Sequence, residues 1–203
     1  MTKIRVIDQY ATQTDIILKS QFICEIFPVY NEKEARQCLV EVKARHPKAA
    51  HHCYAYVLKN EYQNIENQSD DGEPTRTAGL PMLKILRYEN LVNIIVIVTR
   101  YFGGTLLGTG GLVRAYAGVL KHTLAHAQIK EACLYFGYII KIAYADNEEL
   151  KHLIKKKQGL VTSVKYQDQV VVTCYLKNKE DIQVIKQNFK NDLSITIIET
   201  RYL

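Results

Sequence analysis

The run Ile94 to Val98, IIVIV, followed by five glycines between Gly103 and Gly111, limits the folds open to this chain more than any other feature. Five consecutive β-branched or apolar residues read as a strand buried on both faces. Arg100 closes the run. Gly103, Gly104, Gly108, Gly110 and Gly111 then form a turn, with Thr105 and Thr109 among them. From Leu112 the apolar positions recur at three- and four-residue spacing through Leu120, as in a helix. Strand, glycine turn and helix start together make a device for holding negative charge. Glycines let backbone N–H groups converge, and the first helical turn adds unpaired N–H groups and a positive dipole end. Arg100 and Arg114 flank the turn, and a guanidinium forks onto phosphate or carboxylate. The device is neither a Walker loop nor the dinucleotide fingerprint, because no Gly-Lys-Ser/Thr and no G-x-G-x-x-G occurs in it. The bland alternative is that the glycines only let the helix pack closely on its strand.

Before the central strand, residues 3–29 carry alternating apolar positions ended by Pro28, as in a strand pair or one long bent strand. Asn31 is placed to cap a helix from Glu32 to about Arg45, which His46-Pro47 stops. HHCYAYVL, His51 to Leu58, is a strand. Period two sets His51, Cys53, Ala55 and Val57 on one face and His52, Tyr54, Tyr56 and Leu58 on the other. The adjacent histidines therefore cannot chelate one metal. His51 reads as a core histidine, and His52 with Tyr54 and Tyr56 as a surface that meets a ligand. Residues 59–73 are polar and turn-like. Asp70, Asp71 and Glu73 crowd around Gly72, where they could hold a hard cation; an acidic turn that caps the next helix is the simpler reading. That helix is predicted over 77–88.

The pattern resets near Lys130. Strand, helix, hairpin, helix and strand follow in the order β-α-β-β-α-β, the ferredoxin-like split unit. Two domains are therefore expected, 1–130 and 131–203, in an α+β chain of 203 residues. The lysines at 151 and 155–157 sit at a helix C-terminus, where the dipole favours cations.

Composition excludes little. The net charge of +6 permits binding to nucleic acid without demanding it. Five cysteines without CxxC spacing are expected as buried thiols. No window approaches the roughly 18 apolar residues of a membrane span, and the first ten residues lack a signal-peptide core, so a cytoplasmic location is expected. No cofactor and no metal is called for.

Three motifs, HHCYA at 51–55, SDDGEPTRTAGLP at 69–81 and VTRYFGGTLLGTGGLVRAY at 98–116, in this order and at these separations, resemble the Impact family in its bacterial YigZ-like branch. The resemblance implies an N-terminal domain (βα sandwich) similar to the second domain of a small-subunit ribosomal protein. It implies a ferredoxin-like C-terminal domain similar to domain V of the translocating elongation factor. Eukaryotic relatives restrain a starvation-responsive kinase through an additional N-terminal domain not expected here. Two positions depart from the family pattern. Arg76 stands where Gly is usual, and Ala117 where a small hydroxyl residue is common.

The resemblance and the charged turn together favour a translation-related regulator, non-catalytic, that binds RNA or the ribosome. An enzyme acting on a small phosphorylated or acidic substrate would instead use Asp70 or Asp71 as base and His52 as acid. A module docking on another translation or stress factor is the third expectation.

Overall fold

Ile94–Tyr101 is the middle strand of a five-stranded sheet, and every residue of it except Tyr101 is buried. The computed structural model describes residues 3–189 and 193–203, and the chain divides into two compact units, Met1–Ala132 and Cys133–Leu203. The first unit runs β1 (Arg5–Ile7), β2 (Ala11–Ile17), β3 (Ser20–Pro28), α1 (Glu32–Arg45), β4 (His51–Lys59), β5 (Asn64–Ser69), α2 (Gly79–Tyr88), β6 (Ile94–Tyr101), α3 (Gly108–His126) and β7 (Ile129–Glu131). The large sheet has the order β2-β3-β6-β4-β5, and all its neighbours are antiparallel. β1 and β7 pair separately.

Continuous apolar runs usually belong to parallel strands covered on both sides. Here an antiparallel strand has one, because helices cover both faces of this sheet. α1 packs Ala35 and Val42 against Tyr56, Leu58, Ile95 and Ile97. The alternate residues Ile94, Val96 and Val98 face α2 and α3, with Tyr116 of α3 set edge-on to Phe22 of β3 at 5.3 Å between ring centres.

Local chemistry fixes the element ends. Asn31 Oδ1 accepts from the Glu34 amide at 2.9 Å, and Glu34 reaches back to the Tyr30 amide at 2.7 Å. α2 begins at Gly79 rather than at Thr77, because Asp70 Oδ1 takes the Ala78 and Gly79 amides ahead of it. α3 begins at Gly108, four residues before the apolar pattern that announces it, since its first turn is exposed glycine and threonine. The N-terminal strand pair turns at Leu18 and Lys19, both with positive φ (46° and 64°). β5 lies inside a stretch that reads as turn. It is a polar edge strand with little apolar alternation to mark it.

The second unit runs β8 (Leu134–Ile142), a single 3-10 turn at Tyr144–Asp146, α4 (Asn147–Lys156), β9 (Leu160–Tyr166), β10 (Val170–Leu176), α5 (Asp181–Asn188) and β11 (Ser194–Tyr202). Its antiparallel sheet has the order β11-β8-β10-β9. The order places the two middle strands, β8 and β10, over a core with Leu150 and Ile154 of α4 and Ile182 and Ile185 of α5. The residue in left-handed conformation after α4 is Gln158 (φ 55°), not Gly159. The predicted end of the last helix, near Asn191, lies outside the described residues. The chain is thus a mixed α+β protein in two units.

Candidate functional site

The three sequence motifs meet at one cleft of about 500 Å³ in the first unit. His51 of β4 and Glu73 of the acidic turn form one wall, Arg100 at the end of β6 the floor, and Phe102, Leu106 and Leu112 the apolar rim. A larger groove of about 660 Å³, between α2 and α3, contains no motif residue.

Beneath the cleft lies a closed polar network. Arg100 Nη1 donates to Glu73 Oε1 at 2.6 Å, and the Tyr116 hydroxyl donates to the same oxygen at 2.8 Å. The Cys53 thiol lies 3.3 Å from the Tyr116 oxygen and 3.0 Å from the Asp70 carbonyl. Burial pushes the Cys53 thiol up to about 12, so it is no thiolate at neutral pH. Burial raises the Tyr116 hydroxyl as well, and the neighbouring Cys53 and Glu73 raise it further. Arg100 also donates to Ser20 Oγ at 3.3 Å and packs against the rings of Phe22 and Phe102, at 5.3 and 5.5 Å. Among the described residues its Nε has no hydrogen-bond partner.

The three acidic-turn carboxylates point to three different tasks. Asp70 accepts from the amides of Arg76, Ala78 and Gly79. Asp71 accepts from the His52 amide at 2.7 Å and from Lys43 Nζ at 3.2 Å. Burial alone would raise the Asp71 carboxyl, but the His52 amide and Lys43 outweigh it and hold it below the usual range. Glu73 holds Arg100. Among the described residues no group of His, Cys, Asp and Glu is arranged to hold a metal ion. Arg76 keeps a left-handed φ of 66° in this turn, and it is its backbone amide, not its guanidinium, that Asp70 binds.

The glycine turn is open to solvent, but the structure corrects part of the expected cradle. Gly104, Thr105, Gly108, Thr109 and Gly110 are exposed, and Gly111 is half-buried. Gly103 is different: a Cβ there would sit 2.0 Å from the Lys19 backbone, and its N–H already donates to Ser20 Oγ at 3.1 Å. Arg100 does not face incoming charge, because its guanidinium is buried and neutralised by Glu73. Arg114 does. It is exposed in the second turn of α3, with Nη1 3.5 Å from where a Gly110 Cβ would lie, and among the described residues no side chain caps that helix start. Gly108, with φ of 68°, adopts a backbone conformation that other residues reach only with strain.

β4 is also corrected. His52 is the covered histidine: its Nε2–H donates to the His46 carbonyl at 3.1 Å under the end of α1. Burial lowers its proton affinity. Tyr56 is buried and donates to Glu32 at 2.9 Å, and Tyr54 stacks on it at 6.1 Å beneath α1, so neither ring is free to stack on a base. His51, read as a core residue, lines the cleft. Its Nδ1–H donates to the Asp71 carbonyl at 2.8 Å, which leaves Nε2 as the acceptor of the neutral ring. The sequence reading missed Phe102 and Tyr116, although both lie within the third motif.

Two α+β units, the first with a sheet between helices and a cleft where a histidine strand, an acidic turn and a glycine turn converge, define the class. The sequence model of the Impact N-terminal domain matches residues 18–124, which include all three motifs. The chain is 36% identical over 165 residues to the IMPACT family member YvyE of Bacillus subtilis, covering 81% of this chain and 76% of that protein. It is 35% identical over 158 residues to the IMPACT family member YigZ of Escherichia coli, covering 77% of each. A solved structure described as that of a hypothetical protein superposes with a TM-score of 0.66 at 31% identity, over 98% of both chains. The chain belongs to the Impact family, in its bacterial YigZ-like branch.

Proposed function

We propose that this chain is a non-catalytic, translation-related regulator that acts in the cytoplasm by binding RNA, free or on the ribosome. The observation that carries this reading is segment 104–114, exposed except at Leu107, Gly111 and the buried Leu112. An uncapped helix start and the Arg114 guanidinium stand together there, with no carboxylate partner for Arg114 among the described residues. Amides at a helix start and a guanidinium are the groups that hold phosphate oxygens. The net charge of +6 adds a general attraction to polyanions. The strand order β11-β8-β10-β9 supports the likeness of the second unit to the ferredoxin-like domain V of the translocating elongation factor. The likeness of the first unit to the second domain of a small-subunit ribosomal protein belongs to the same reading.

The groups an enzymatic reading would use are occupied. Asp70 and Asp71 accept from backbone amides, and His52 donates to a carbonyl. That supports binding over catalysis. Filter binding of the intact chain to ribosomes and to total RNA tests the reading. Retention of either that polyphosphate competes away is expected, and retention of neither contradicts it.

A further inference from the structure

Phe102 is the feature that the network beneath the cleft does not explain. The residue is 51% exposed, and Leu106 on the same rim is 85% exposed. Two neighbouring apolar side chains standing in water are unfavourable unless something covers them. The mount of Phe102 is nonetheless rigid. The next residue, Gly103, is pressed against the Lys19 backbone and tied to Ser20, and the Arg100 guanidinium lies 5.5 Å from the Phe102 ring centre. Arg100 is in turn fixed by Glu73 and by Ser20. An aromatic ring held this way, with a buried cation behind it and one surface open, is a stacking platform.

The cleft beside it has the size of a small-molecule site, at about 500 Å³. Small-molecule sites span roughly 300–1,000 Å³. Its rim is apolar (Phe102, Leu106, Leu112), and its wall carries the half-buried His51, whose imidazole can meet the polar edge of a ring. The chain then passes directly into the segment that ends at Arg114.

We propose that this cleft takes one unpaired base of single-stranded RNA, stacked on Phe102, while the adjoining segment up to Arg114 holds the neighbouring phosphate. This rests on the RNA-binding reading above and adds a preference for unpaired strands. A duplex keeps its bases inside the stack and cannot offer one to the ring.

The test uses the intact chain and its Phe102→Ala variant, whose folding is checked by thermal melting. Each is titrated with a single-stranded RNA 10-mer carrying 2-aminopurine, a duplex of the same length, inorganic polyphosphate and adenosine monophosphate. The wild type is expected to bind the single strand more tightly than the duplex and to quench 2-aminopurine. Phe102→Ala should weaken the single strand roughly 5- to 150-fold, the span of one base–aromatic stack, and leave polyphosphate binding and the salt slope unchanged. If the wild type binds RNA but Phe102→Ala binds the single strand equally well, the platform is refuted and the RNA reading survives. If no RNA binds at all, both fall, even if adenosine monophosphate enters the cleft.

Discussion

Arg100 and Glu73 form an ion pair 2.6 Å long in which both side chains are almost completely buried, at 6% and 3% exposure. Each belongs to a different sequence motif, so the pair fastens the acidic turn to the end of the central strand. It also removes Arg100 from the surface and makes it the back of the Phe102 platform. Removing one partner of a buried pair leaves an uncompensated charge in a low-dielectric site.

Glu73→Ala is therefore expected to destabilise the first unit by about 3–5 kcal/mol, read from denaturant unfolding. Arg100→Met combined with Glu73→Leu should cost less than Glu73→Ala alone, because no buried charge is then orphaned. A single variant as stable as wild type would show that the pair contributes nothing.

Asp70→Ala should cost roughly 2 kcal/mol, the upper range for a lost cap, because its carboxylate serves three amides ahead of α2. Faster hydrogen exchange at Ala78 and Gly79, with α1 unchanged, is the specific signature.

Arg76→Gly should raise stability by about 0.5–1 kcal/mol, since glycine relieves a left-handed φ of 66°. Thermal melting decides it. A loss of stability would mean that the Arg76 side chain makes a contact worth more than the strain.

Acid should weaken the fold in two stages. Burial lowers the His52 pKa in the folded state. Below about 6.5 the unfolded chain therefore binds a proton that the folded one refuses, and stability falls as pH drops towards the folded value. The Asp71 carboxyl is also depressed. Its contribution is fully present above the unfolded value of about 3.9 and is lost as pH falls through the lower folded one. His52→Gln should flatten chiefly the first stage and Asp71→Asn chiefly the second, each with a smaller effect on the other because the two side chains lie 3.8 Å apart, in stability measured from pH 8 to 3.

Much of this architecture could be read from the chain, for physical reasons. Ile94–Val98 declares a covered strand by composition, Asn31 and Asp70 act locally as caps, and the second unit spells out its element order in alternating and helical periods. What periodicity cannot supply is which face of a strand a distant helix will cover. It correctly placed His51 and His52 on opposite faces of β4. The choice between them depended on α1 lying over His52, Tyr54 and Tyr56, with α3 starting beside His51. The pairing of Arg100 with Glu73 spans 27 positions and leaves no local trace. β5 was hidden because Ile65 is its only apolar residue, and its other partly covered positions, Glu66, Gln68 and Ser69, are polar.

The most direct test of the central claim, that segment 104–114 grips RNA phosphate, is the salt dependence of single-stranded RNA affinity for wild type and Arg114→Ala. Loss of one phosphate contact should weaken binding and lower the slope of log affinity against log salt by about 0.7. A variant with the affinity and the slope of the wild type would contradict it.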